Sequence, residues 1–199
     1  MMEIAACVVA GYVLGSVSFA YLLTLFLTGQ DIREIGTKNS GAANVARSIG
    51  KKWGILVWAG DTVKGMVPMA FARNLGITNI ILLTLIGLSA VAGHCWSIFL
   101  RFRGGKGAAT TGGIVLFLMP LLFPLVIILW FIAQKINPRS PRVLLTCTVF
   151  YFICLYIEYG LRVDRALFVQ TAVSTIMLIL SAFVINPGMV REIRRAPSP

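Results

Sequence analysis

The sequence predicts an all-α integral membrane protein: a seven-transmembrane-helix bundle with the N-terminus outside and the C-terminus cytoplasmic. Three observations predict it. The chain is 58% hydrophobic and only 13% charged, with a mean hydropathy of +0.87, far too apolar for an ordinary water-soluble domain. Its apolar residues fall in runs that approach the roughly 20 residues a helix needs to cross a bilayer. Its lysines and arginines gather in alternate connections, the pattern of a protein whose basic loops stay in the cytoplasm.

The first run, about residues 3–28, follows Met1-Met2-Glu3. It has no basic leader and no small-residue cleavage site, so it reads as a retained helix rather than a signal peptide. Ser16 and Ser18 inside it read as helix-packing residues. Further spans are expected at about 53–72, 77–99, 108–119, 121–136, 143–160 and 166–186. The fourth is short, and Pro120 and Pro124 follow it, so one kinked helix over 108–136 is the alternative. Loop charge decides between seven spans and six. The connections 29–52, 100–107 and 135–142 and the C-terminal tail together carry fourteen cations, and the remaining connections carry three. Seven spans place all four basic segments on one side, as the positive-inside rule requires. The whole chain, 1–199, reads as a single domain with a disordered tail at about 196–199.

A formal charge of +11 would suggest nucleic acid in a soluble protein. Here the cations sit in short loops between spans, with no soluble basic domain to carry such binding, so the expected partners are anionic lipid or substrate. Cys7, Cys95, Cys147 and Cys154 include no C-x-x-C pair and have only His94 as a possible companion. They read as small packing residues, and no metal site is expected.

Two glycine-rich basic segments point to phosphate. The first runs from Asp31 to Arg47. Gly36 and Gly41 bracket Thr37, Lys38 and Asn39, a turn able to offer backbone N–H groups, a hydroxyl, an ammonium and an amide to one anion. A helix is expected from Ala42 onward, and Arg47 brings a planar fork suited to phosphate. The second is Arg101-Phe102-Arg103-Gly104-Gly105-Lys106-Gly107-Ala108-Ala109-Thr110, where glycine allows a ligand to approach the main chain closely. Its spacing does not fit a nucleotide P-loop. His94 just before it is the only histidine. It has no nearby serine–aspartate companions in hydrolase order, so a catalytic triad is not supported.

Asp61 and Lys64 lie three residues apart inside the second span, on one helix face. Ionisable residues at that depth pair or face a cavity. They read either as a structural ion pair or as a lysine aimed at substrate and held by its aspartate. A further basic loop, Asn137 to Arg142, contains Ser140, with Thr146 after it.

These segments, in this order, resemble the bacterial acyl-phosphate:glycerol-3-phosphate acyltransferases, the integral-membrane PlsY family. The resemblance is carried by Gly15-Ser16, by Asp31-Ile32-Arg33-Glu34 with Gly36 through Asn44, by Asp61-x-x-Lys64-Gly65, and by Gly93-His94 through Gly113. It is strong over about residues 10–115. It implies seven spans, a multi-pass location in the cell inner membrane and an active site toward the cytoplasm. It also implies transfer of a fatty acyl group from acyl phosphate to the sn-1 hydroxyl of glycerol 3-phosphate, giving lysophosphatidic acid and phosphate in phospholipid biosynthesis. No cofactor or metal is implied, and a monomer is expected. By the same resemblance, Lys106, Arg47, Thr37 and His94 are the expected catalytic group. Gly36, Asn39, Gly41, Asn44, Lys64, Arg103, Gly104, Gly105, Gly107, Thr110 and Ser140 are the expected substrate-binding residues.

The chain departs from the family where Thr37 and Lys38 replace serine and glycine, where Ala43 replaces threonine, and where Ser18 and Ser97 replace proline. The alternatives to acyl transfer are a membrane transporter of a phosphorylated anion or a family member that binds without turning over.

Overall fold

The computed structural model describes residues 1–118 together with 120, 124 and 128. The expected spans at 121–136, 143–160 and 166–186, the loop bearing Ser140 and the tail lie outside the described residues. So does the choice between a short fourth span and a kinked helix over 108–136. Met1–Phe117 form a compact unit, and among the described residues every regular element is helical.

The first expected span is two helices, α1 (Met2–Ser16) and α2 (Phe19–Thr28). Val17 leaves the helix with φ −68° and ψ 115°. Ser18 then caps the next helix, its Oγ accepting from the Tyr21 N–H at 3.3 Å. This corrects the reading of Ser18 as a plain packing residue, since a serine hydroxyl competes with the helical backbone and here starts a new helix. Ser16 stays buried at the end of α1, close to Gly93. Gly29, at φ +68°, closes α2.

A loop leads to the short helix α3 (Ala42–Ser48), starting where the sequence placed it. The long helix α4 (Lys51–Asn74) covers the second expected span and contains Pro68. Its 24 residues reach about 36 Å, enough to cross a bilayer core. In α5 (Ile80–Cys95), Asn79 caps the start, accepting from Ile81 and Leu82 N–H groups at 2.9 and 3.2 Å. A 3-10 turn at Ile98–Leu100 follows, and α6 (Ala108–Leu118) begins after the second glycine-rich segment. Met2–Thr28 and Ile80–Leu100 are each long and apolar enough to span a membrane.

Helix α1 packs on α5, and α4 packs on both. Small residues set the approach: a Cβ at Gly15 would collide with the Ala90 carbonyl, and one at Gly93 with the Tyr12 carbonyl. Met69, Ile86, Ala90 and Ile114 are fully buried in this core. Val9, Phe26, Ile55, Val63 and Phe71 are exposed on its outside, which suits a lipid surround rather than water. A second cluster of Ala20, Ile32, Val45 and Val57, with Tyr21 and Trp53 against it, roots the first glycine-rich loop between α2, α3 and α4.

Candidate active site

The loop after α2 is built by its own side chains. Asp31 accepts the Arg33 backbone N–H at 2.8 Å and takes the guanidinium in a bidentate pair, with Nη2 donating to Oδ2 at 2.6 Å. The hydrogen-bonded guanidinium holds the Asp31 carboxyl below its ordinary range. Arg33 also lies 5.4 Å over the Tyr21 ring and donates from Nη1 to the Leu100 carbonyl at 3.0 Å. One side chain therefore ties the first loop to the approach of the second.

Gly36 and Lys38 both have φ of +57°. Asn44 holds the turn they make. Its Nδ2 donates to the carbonyls of Ile32, Ile35 and Asn39, and its Oδ1 accepts from Thr37 N–H at 2.9 Å. Buried to 1% exposure, Asn44 spends its amide on the loop and so shapes it from within. Thr37, Lys38 and Arg47 are exposed around it, with Asn39 and Gly41 half-buried.

The second loop returns over α5. Gly104 and Gly105 donate their N–H groups to the carbonyls of Cys95 and His94, each at 3.0 Å. Arg101 and Phe102 both take positive φ, 54° and 61°, and the Phe102 N–H donates to the Ser97 carbonyl at 2.8 Å. Gly107, at φ +75°, turns the chain into α6, where the Thr111 N–H reaches back to its carbonyl at 2.8 Å. Arg103 and Lys106 are exposed.

The two loops meet at Gly105. A Cβ there would fall on His94 Nε2 and lie 2.7 Å from the Ser40 carbonyl. Only glycine lets the second loop settle between the histidine and the first loop. Ser40 and Thr110 are buried, and among the described residues their hydroxyls have no partner. Ser40 was not singled out by sequence reasoning, although its place between Asn39 and Gly41 in the turn was the available signal.

Beneath the loops lies a polar network. Lys64 Nζ is 2.7 Å from Asp61 Oδ1 and donates to the Val17 carbonyl at 2.7 Å. His94 turns Nδ1 toward the same carboxylate oxygen at 3.5 Å. Lys64 is 5% exposed, so the second-span lysine is engaged inside the bundle. Of the expected site residues, Gly36, Thr37, Asn39, Gly41 and Arg47 share the first loop and α3. Arg103 to Gly107 share the second loop. His94 and Gly105 join the two, Thr110 lies just inside α6, and Ser140 is outside the described residues.

A site of this kind offers exposed cations from both loops and the exposed Thr37 hydroxyl from the first, a composition suited to binding phosphate esters. The glycerol-3-phosphate acyltransferase family profile matches residues 5–194. The glycerol-3-phosphate acyltransferase of Desulforudis audaxviator is 41% identical over 132 residues, 65% of this chain and 66% of that one. That of Syntrophomonas wolfei is 44% identical over 119 residues, 60% of each chain. The matched stretch thus spans slightly under two thirds of these two relatives. The acyltransferase of Burkholderia pseudomallei is 34% identical over 177 residues, 89% of this chain and 87% of that one. Among solved structures, the glycerol 3-phosphate form of PlsY (YgiH), an integral membrane glycerol 3-phosphate acyltransferase, superposes with a TM-score of 0.73 at 28% identity, covering 98% of this chain and 96% of its own. Its lysophosphatidic acid form gives 0.78 at 26% identity, covering 96% and 91%. With the profile spanning nearly all of its length and its fold shared with PlsY, the chain belongs to the glycerol-3-phosphate acyltransferase family.

Proposed function

We propose that the protein is a multi-pass membrane enzyme that transfers a fatty acyl group from acyl phosphate to the sn-1 hydroxyl of glycerol 3-phosphate. The carrying observation is the meeting of two glycine-rich, cation-bearing loops at Gly105 and Ser40. The reaction brings together two phosphates, one on each substrate, and two such loops at one end of the bundle suit that need.

The hydroxyl oxygen attacks the acyl carbonyl carbon, the carbon–oxygen bond to phosphate breaks, and a phosphate oxygen takes the hydroxyl proton. Lysophosphatidic acid and inorganic phosphate leave. The mixed anhydride is already activated, so positioning and charge stabilisation supply the catalysis. Thr37, Asn39 and the backbone near Gly36 and Gly41 take the acyl phosphate. Arg47 and Lys106 hold the glycerol phosphate and the leaving phosphate, with Arg103 beside Lys106 on the second loop. His94 supports the second loop. The enzyme works as a monomer with seven spans and its active site toward the cytoplasm.

The test is incubation of the purified protein with acyl phosphate and labelled glycerol 3-phosphate. Formation of lysophosphatidic acid is expected, and its absence from folded protein would remove the reading. Lys106→Ala and Arg47→Ala are each expected to lower kcat about a hundredfold. Near-normal turnover in either variant takes that residue out of the site.

A further inference from the structure

The break between α1 and α2 leaves the carbonyls of Ser16, the last residue of α1, and Val17, its cap, without a donor from the next turn of helix. Each is met by a side chain from another element. Ser97 Oγ donates to the Ser16 carbonyl at 2.6 Å, and Lys64 Nζ donates to the Val17 carbonyl at 2.7 Å. Lys64 also lies 6.0 Å from the centre of the Phe19 ring at the start of α2. It thereby grips the helix that carries the first glycine-rich loop, because Ala20 of α2 is packed in one cluster with Ile32 of that loop.

Asp61 is the second half of the arrangement. Its Oδ1 is shared by Lys64 at 2.7 Å and His94 Nδ1 at 3.5 Å. The far side of the His94 ring, Nε2, is the atom against which Gly105 packs, beside the Ser40 carbonyl. The Asp61 carboxylate faces Nδ1 at 3.5 Å, a charge contact without hydrogen-bond geometry. Its negative charge favours the ring orientation that turns Nδ1 inward and Nε2 toward the loops. One buried ion pair on α4 thus reaches the first loop through Lys64 and α2, and the second loop through Asp61 and His94. A buried pair of this kind is a poor source of stability, since desolvation offsets most of its attraction. Its directed contacts at both ends give it a different use.

We propose that Asp61 and Lys64 are positioning residues that hold the two glycine-rich loops in mutual register. The role rests on the acyl-transfer reading only for its effect on turnover. Removing Lys64 alone would strand a buried carboxylate, so the main variant is the neutral pair Asp61→Asn with Lys64→Met, which leaves no unpaired charge. The full-length protein is compared with this variant by amide hydrogen exchange in detergent, together with acyl transfer from acyl phosphate to glycerol 3-phosphate.

Exchange is expected to rise about tenfold in both 36–41 and 100–107 while Leu83–Val91 of α5 stays protected. In the same preparation kcat is expected to fall at least about tenfold, as loop misplacement does to oriented reactants, with KM for glycerol 3-phosphate moving less than about threefold. Lys64→Arg, which can still reach Asp61 and Val17, is expected to recover most of kcat. Unchanged exchange, exchange rising in one loop only, or a neutral pair with normal kcat overturns the proposal. If the neutral pair does not fold, a second neutral pair, Asp61→Asn with Lys64→Leu, is read the same way, with loosening of both loops expected and no change overturning it. A wild-type protein without acyl transfer would fail the functional reading, and the exchange comparison would still decide the coupling.

Discussion

Lys38 occupies left-handed backbone, with φ +57°, two residues after Gly36 at the same φ. A side chain there costs on the order of 1–2 kcal/mol, partly offset by the extra unfolded-state entropy that glycine would bring. Lys38→Gly is therefore expected to stabilise the folded protein by up to about 1 kcal/mol, seen as a rise of a few degrees in melting temperature. A lower melting temperature would show that the lysine makes a compensating contact. That the motif departs from its family here was legible in the sequence, and so was the loss of φ freedom. That the chain accepts the strained conformation instead of reshaping the loop is legible only with Asn44 in place, pinning four backbone groups around it.

Asp31 permits a prediction about pH. Its carboxyl is lowered in the folded state by the Arg33 hydrogen bonds, so the unfolded chain binds its proton more readily. The contribution of the pair is then present above the ordinary value of 3.8 and lost as pH falls through the lower folded value. The difference in melting temperature between wild type and Asp31→Asn is expected to be constant from pH 5 to 8 and to shrink only in more acidic solution, below about pH 4. A difference that shrank near pH 6 would assign the effect to another group.

At the scale of elements, the helices were readable and one interruption was not. Apolar runs and loop charge located α4, α5 and the start of α6 within a few residues, because helix length and hydropathy are local properties. Gly15-Ser16-Val17-Ser18 was read as part of one span, because its small residues suit packing as well as they suit a break. Both uses are present: Gly15 packs against Ala90 and Ser18 caps α2. The break persists because Ser97 and Lys64, distant in sequence, supply the missing partners. Ser97→Ala is expected to cost about 1–3 kcal/mol by stranding the buried Ser16 carbonyl, measured by thermal unfolding in detergent. Gly15→Ala is expected to cost about 1–3 kcal/mol, toward the upper end because the obstructing atoms are backbone. Unaltered melting of Gly15→Ala would mean that α1 and α5 can separate freely.

At the scale of the molecule, the expected orientation puts residues 29–52 and 100–107 in the cytoplasm and Arg73 outside. Single cysteines at Lys106 and Arg73, introduced into a background whose native cysteines are replaced by alanine or serine, test it in intact cells. Arg73→Cys is expected to react with a membrane-impermeant thiol reagent added outside, and Lys106→Cys only after the membrane is opened. Equal labelling of both would contradict the orientation.

The sequence by itself determined the membrane class, the order of helices from α3 to α6 and the two phosphate-suited loops. Each depends on composition, periodicity or a contiguous run of residues. Tertiary structure alone decided that the loops touch at Gly105, that Arg33 reaches Leu100, and that Asp61 stands between Lys64 and His94. Those contacts join residues from about thirty to more than sixty positions apart, or depend on the rotation of packed helices. Neither local propensity nor spacing along the chain specifies which faces of α4 and α5 meet. Close packing of small residues and the need to partner buried polar groups settle it.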